Sequence, residues 1–198
     1  MESPAFSALL APIARVKWLT WLAFNAATIF YLVLAYSLFA SRGSIGTLMP
    51  GDPRTMVLAV LGLITAFASR SVPALVMPDR RLRELLARDP DPQLLARDSQ
   101  TGEINAGRLE KIKSLTPHEQ RLLAATSSLF VSFVIQLAFG EAVWLYGLLL
   151  SFWTETFLPV LPFAAVALVL NLSVSPKLDA ELERLRKLAY QPSATGAA

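Results

Sequence analysis

Cysteine is absent from the 198-residue chain, and histidine occurs once. Without a thiol there is no disulfide framework, no thiolate metal site and no redox couple, and cysteine usage says nothing of the compartment. The single histidine, His118, leaves no haem pair and no histidine-assisted nucleophile set, and a lone imidazole is a poor metal site. Ser41, Ser44 and Ser151 have no histidine partner in their expected compartment, and no Gly-rich phosphate loop occurs. No catalytic set, metal site or cofactor is therefore expected, and the chain reads as a non-enzyme.

Charge is also scarce. Only 17% of residues are charged and 54% are hydrophobic, which lies outside the ordinary soluble range. The charge that exists is gathered into 77–121 and 177–187, leaving four long, nearly uncharged segments. That pattern reads as an all-α, polytopic membrane protein with four transmembrane helices in two hairpins and amphipathic cytoplasmic helices. A net charge of +3 does not point to nucleic acid, because no basic and aromatic motif interleaves; the excess of Lys and Arg suits cytoplasmic loops.

The longest apolar run, Leu122 to Phe152, exceeds the roughly 20 residues a helix needs to cross hydrocarbon. One ionisable side chain, Glu141, stands well inside it. An ionised carboxylate at mid-membrane costs about 2.5 to 3.5 kcal/mol on insertion scales, so Glu141 is expected to face protein or water.

Taken in order, residues 1–17 are expected to be a cytoplasmic or interfacial N-terminus. Phe6, Leu9, Leu10 and Ile13 make one helical face there, either a surface helix or a frayed end. The run 18–40 is too long for a signal h-region and lacks a convincing small-x-small site, so it reads as an uncleaved first span, with Trp18 and Trp21 as an aromatic belt. Residues 41–53 have loop composition. Asp52 and Pro53 read as cap and first position of a second span, 54–77, in which Arg70 lies near enough to the end to snorkel.

Residues 78–119 read as a cytoplasmic loop with short helices. Leu82, Leu85 and Leu86 alternate there with arginines, Asp89 to Pro92 is a stop, and a second short helix is expected over 106–114. Thr116-Pro117-His118-Glu119 is a capping box opening the third span, 121–152. A short connection at 154–156 leads to the fourth span, 157–175, which has Pro159 and Pro162 in its first turns and Asn171 near its end. Ser175 and Pro176 repeat the cap-and-proline start before a leucine-faced helix over 176–190, and 191–198 is expected to be a disordered tail. Lys and Arg cluster in the N-terminal flank, the central loop and the C-terminal flank, which places both termini in the cytoplasm of a bacterial inner membrane.

A weak internal repeat pairs Pro78 to Arg88 with Pro176 to Leu188, and Phe30 to Leu34 with Leu145 to Leu149. It predicts two hairpins of the same sense about an axis along the membrane normal, with Glu141 opposite Ala26. Chance similarity between apolar helices is the competing explanation.

The third span reads Ala138-Phe139-Gly140-Glu141-Ala142-Val143-Trp144-Leu145-Tyr146-Gly147-Leu148-Leu149-Leu150. Over about a dozen residues it resembles the carboxylate-bearing helix of the proteolipid subunit c of rotary ATP synthases, where a glutamate is followed by alanine and, five and six residues on, by tyrosine and glycine. The resemblance implies that Glu141 binds and releases a proton or sodium ion. The helix is also similar to those of small four-span bacterial membrane proteins of unassigned function.

The residues around Glu141 give a second basis for the same idea. Gln136, Ser132 and Ser128 continue a polar stripe along its helix, and Asn25 and Thr28 of the first span are candidate partners. Arg70 is the other charge within a span, roughly 7 to 8 Å from Glu141 along the axis by residue count. The candidate relay set is therefore Glu141, Gln136, Arg70 and Asn25. The first functional expectation is an accessory or assembly subunit of a membrane complex, working through its leucine-faced helices with other membrane subunits or a second copy. The second is proton or cation translocation through Glu141, and the third is lipid binding by the basic flanks.

Overall fold

The computed structural model describes residues 3–40, 52–97 and 101–190. Of the loop expected at 41–53, residues 41–51 lie outside the described residues, as does the tail expected at 191–198. Eight helices are described and no strand, apart from an isolated antiparallel bridge between Arg97 and Ile104. They are α1 (Pro4–Ala40), α2 (Pro53–Val76), α3 (Asp79–Ala87), α4 (Pro92–Ala96), α5 (Ala106–Lys113), α6 (Pro117–Thr154), α7 (Val160–Ser173) and α8 (Leu178–Tyr190). Three helical stretches, Pro4–Phe39, Pro53–Ala87 and Pro117–Thr154, are long and apolar enough to cross a membrane, and a fourth is reached only if α7 and α8 count together.

Several starts use one device, a capping side chain followed by proline. Ser3 Oγ accepts from the Phe6 amide at 3.2 Å, Asp52 from Arg54 at 3.0 Å and Asp91 from Gln93 at 2.8 Å. Each cap satisfies an amide that the first helical turn leaves open, and the proline behind it loses nothing by lacking an N–H. α1 is one continuous helix, Pro4–Ala40, where a separate surface helix or frayed end was expected before residue 18. Pro12 is carried inside it, at the loss of one backbone hydrogen bond. At the other end of the chain, α8 begins at Leu178 rather than at the Ser175-Pro176 pair.

The chain divides into two compact units, the first comprising residues 1–17, 74–131 and 176–198 and the second 18–73 and 132–175. The core of the first unit gathers Phe6 and Leu9 of α1, Leu82 and Leu86 of α3, Ile112 of α5, Leu122 of α6, and Leu182, Leu185 and Leu188 of α8. The leucine faces expected to dock a partner are thus buried against one another inside the protein's own chain. Ion pairs tie the same elements together: Arg184 to Asp79 at 2.6 Å, Arg121 to Asp89 at 2.7 Å, and buried Lys17 to Glu181. Glu119 completes the capping box, taking the Thr116 amide at 3.0 Å while its own amide donates to Thr116 Oγ1 at 3.3 Å. Its second oxygen accepts the Ser3 amide at 2.8 Å. Burial pushes this carboxyl up, but the bonds from Ser3 and Thr116 outweigh it and hold the pKa down to about 2.

In the second unit the inward face of α1 steps by four and three through Asn25, Thr28, Leu32, Ala35 and Phe39. That of α2 steps the same way through Leu58, Gly62, Thr65, Ser69 and Val72. This spacing gives the narrow seam of left-handed helix packing. Gly62, Thr65 and Ser69 make the middle of the α2 seam small or polar, whereas its exposed face carries Met56, Val57, Val60, Leu63, Ile64 and Phe67. The polarity is inside out compared with a water-soluble helix. Phe163 of α7 closes the packing: a Cβ at Gly147 would stand 2.6 Å from its Cβ, and one at Gly62 would stand 3.1 Å from its ring. The two glycines are what let three helices meet around that ring.

Candidate functional site

Glu141 lies on α6, half-buried, about three turns before Phe152 and beside the glycine that admits α7. Thr28 Oγ1 of α1 meets Glu141 Oε1 at 2.8 Å, and Asn171 Nδ2 of α7 donates to the same oxygen at 3.4 Å. These two are its partners among the described residues. Asn171 is completely buried and reaches this place because Gly140 has no side chain: a Cβ there would lie 2.1 Å from Asn171 Oδ1. The backbone carbonyl of Asn171 in turn accepts from Trp21 Nε1 at 2.9 Å. Glu141, Thr28 and Asn171 therefore join α1, α6 and α7.

Hydrogen supply is short in this cluster. A threonine hydroxyl has one hydrogen to give, and Thr28 Oγ1 also lies 3.1 Å from the Phe24 carbonyl. If the hydrogen goes to Phe24, the close approach to Glu141 needs a hydrogen from the carboxyl; if it goes to Glu141, the carboxylate accepts. Asn171 Oδ1 is buried with no hydrogen-bond partner, and so is Asn25 Oδ1, one turn before Thr28 on the same face of α1. Buried amide oxygens usually have a donor, so these two stand out. Chemically, Glu141 with Thr28 and Asn171 beside it offers hard oxygen atoms to a proton or a small cation.

The expected relay residues separate. Asn25 spends its amide group on the Trp21 carbonyl of its own helix at 2.8 Å, and Thr28, its neighbour on that face, makes the bond to Glu141. Gln136 contributes its backbone, accepting from Ser69 at 3.4 Å, and Ser128 bonds back to Ala124 at 3.1 Å. Arg70 is exposed and makes no bond with Glu141; it follows Ser69, which points inward and is 1% exposed, so the helix turns its side chain away from the seam. Asn171 is the residue that sequence reasoning did not assign. Its signal in the sequence was a lone amide side chain in an otherwise apolar helix.

Compared with family models, curated proteins and solved structures, the chain matches none.

Proposed function

We propose that the chain is a non-enzymatic, multi-pass protein of a bacterial inner membrane, with both termini cytoplasmic, in which Glu141 takes up and releases a proton or small cation. The observation that carries the site is the shared Thr28 hydrogen together with the unpartnered buried amide oxygen of Asn171. Membrane residence is supported by the inverted polarity of α2, whose most apolar face is its exposed one. Of the sequence's Lys and Arg residues, only Arg42, Arg54 and Arg70 fall in 18–73 or 132–175, which supports the orientation. The reading needs the fourth apolar segment, with α7 at 14 residues, to cross a locally thin region or together with its flanks. Proton and sodium flux into vesicles containing wild type or Glu141→Gln tests it. Flux present in wild type and lost in the variant supports the relay; equal flux removes it.

A second reading, an accessory subunit that works by association, is favoured by the exposed apolar faces of α1 and α2, including Phe30 and Phe67. The leucines of α3 and α8 no longer argue for it, since they fill the protein's own core. A protein that runs only as a monomer in mild detergent and co-purifies with nothing would remove this reading.

A further inference from the structure

Three cations of the first unit, Arg97, Arg108 and Lys111, line one groove of about 690 Å³, and no carboxylate is among its lining residues. Among the described residues none of the three is in an ion pair. Arg108 Nε is buried with no hydrogen-bond partner, an expensive state for a charged group. The cations are held together by local structure. Arg108 and Lys111 stand three residues apart on α5 and so share a face. Arg97 is fixed beside them by its bridge to Ile104 and by the Asn105 amide, which donates to the Ala96 carbonyl at 3.2 Å.

Much of the remaining lining is apolar, including Ile13 of α1, Leu94 of α4 and Phe130 of α6. Leu94 is 63% exposed, a wet apolar side chain at the groove's edge. A free phosphate ester would answer the cations and leave this surface in water. An anion with an apolar tail answers both, and the volume lies in the range of small-molecule sites. The lining also includes Val16, two residues before Trp18, where the sequence places an aromatic belt at head-group depth.

We infer that this groove binds an anionic phospholipid, its phosphate against Arg97, Arg108 and Lys111 and part of an acyl chain along Ile13, Leu94 and Phe130. The inference rests on the membrane reading above.

The test uses full-length protein in mild detergent, titrated with phosphatidylglycerol, phosphatidylcholine or glycerol phosphate, with binding read by native mass spectrometry. Phosphatidylglycerol is expected to bind in clear preference to the other two. Each of Arg97→Gln, Arg108→Gln and Lys111→Gln should weaken it by about fivefold, the effect of one basic side chain at an anionic lipid surface. Arg80→Gln, on the fully solvated side of α3, should leave it unchanged. Equal binding of phosphatidylcholine, or no loss in the three variants, overturns the inference, and glycerol phosphate binding as tightly as the lipid replaces it with a free phosphate-ester site. Should the arginine variants fail to fold, Leu94→Glu places a carboxylate at an exposed edge position; retained phosphatidylglycerol binding there also overturns the inference. Failure of the membrane reading shows separately, as a protein that fractionates from cells in buffer without detergent.

Discussion

The Thr28 hydroxyl of α1 lies 2.8 Å from Glu141 Oε1 of α6 and 3.1 Å from the Phe24 carbonyl of its own helix. One hydrogen thus answers two acceptors, and removing it leaves the carboxyl group with Asn171 alone. Thr28→Val, which keeps the shape and deletes the hydroxyl, is expected to destabilise the protein by about 1 to 2 kcal/mol. Thr28→Ser should retain most of the stability. Unfolding in detergent, compared across the three proteins, checks this.

Gly140 and Asn171 form the tightest approach between α6 and α7 at this site, with 2.1 Å between Asn171 Oδ1 and the place a Cβ would occupy. Gly140→Ala should cost about 1 to 3 kcal/mol, because the amide must leave both Gly140 and Glu141. Asn171→Ala removes the obstacle, so the double variant should be clearly less destabilised than the sum of the singles. Additive losses in the thermodynamic cycle would show that the two positions do not meet.

Acid should loosen the first unit through Glu119. Its folded pKa is about 2 against an ordinary value of 4.5, so its contribution is complete above pH 4.5 and is lost as pH falls toward 2. Glu119→Gln should lower stability at neutral pH and flatten the dependence across that window. Denaturant titrations between those limits, on wild type and variant, give the comparison.

Local rules made a good part of this architecture legible. The Thr116 to Glu119 capping box and the Asp52-Pro53 start are visible as residue types at fixed spacing, and both bonds form. Ser3-Pro4 is the same pair of residue types as a cap and a first helical position, and Ser3 Oγ accepts from the Phe6 amide. What sequence could not supply is azimuth and long-range pairing. Residue count along an axis put Arg70 within side-chain reach of Glu141, but Ser69 occupies the inward position and Arg70 is turned out. Lys17 looked like a membrane-flanking charge, yet it is buried against Glu181, a partner no local pattern reveals. The leucine faces of α3 and α8 were recognised as apolar, and only the packing shows that each is the other's cover. The proposed repeat set Glu141 opposite Ala26, which is exposed on α1, while Thr28 does the bonding.

Glu155 is a non-glycine residue with positive φ, 51°, at the end of α6. The Thr156 amide reaches back to the Ser151 carbonyl at 3.2 Å, the bond that closes a Schellman turn and demands the left-handed conformation before it. Glu155→Gly should therefore stabilise the protein by about 1 kcal/mol, whereas Glu155→Val should destabilise it. Thermal unfolding of the two variants decides the sign.

In the proposed function the carboxyl group of Glu141 exchanges a proton or a cation where α1, α6 and α7 meet. Infrared difference spectra of the protein in lipid, wild type minus Glu141→Gln, test it most directly. The expected result is a carboxyl band that belongs to Glu141 and changes reversibly when pH or sodium concentration is changed. A Glu141 signal indifferent to both, across the whole range in which the protein stays folded, would contradict it.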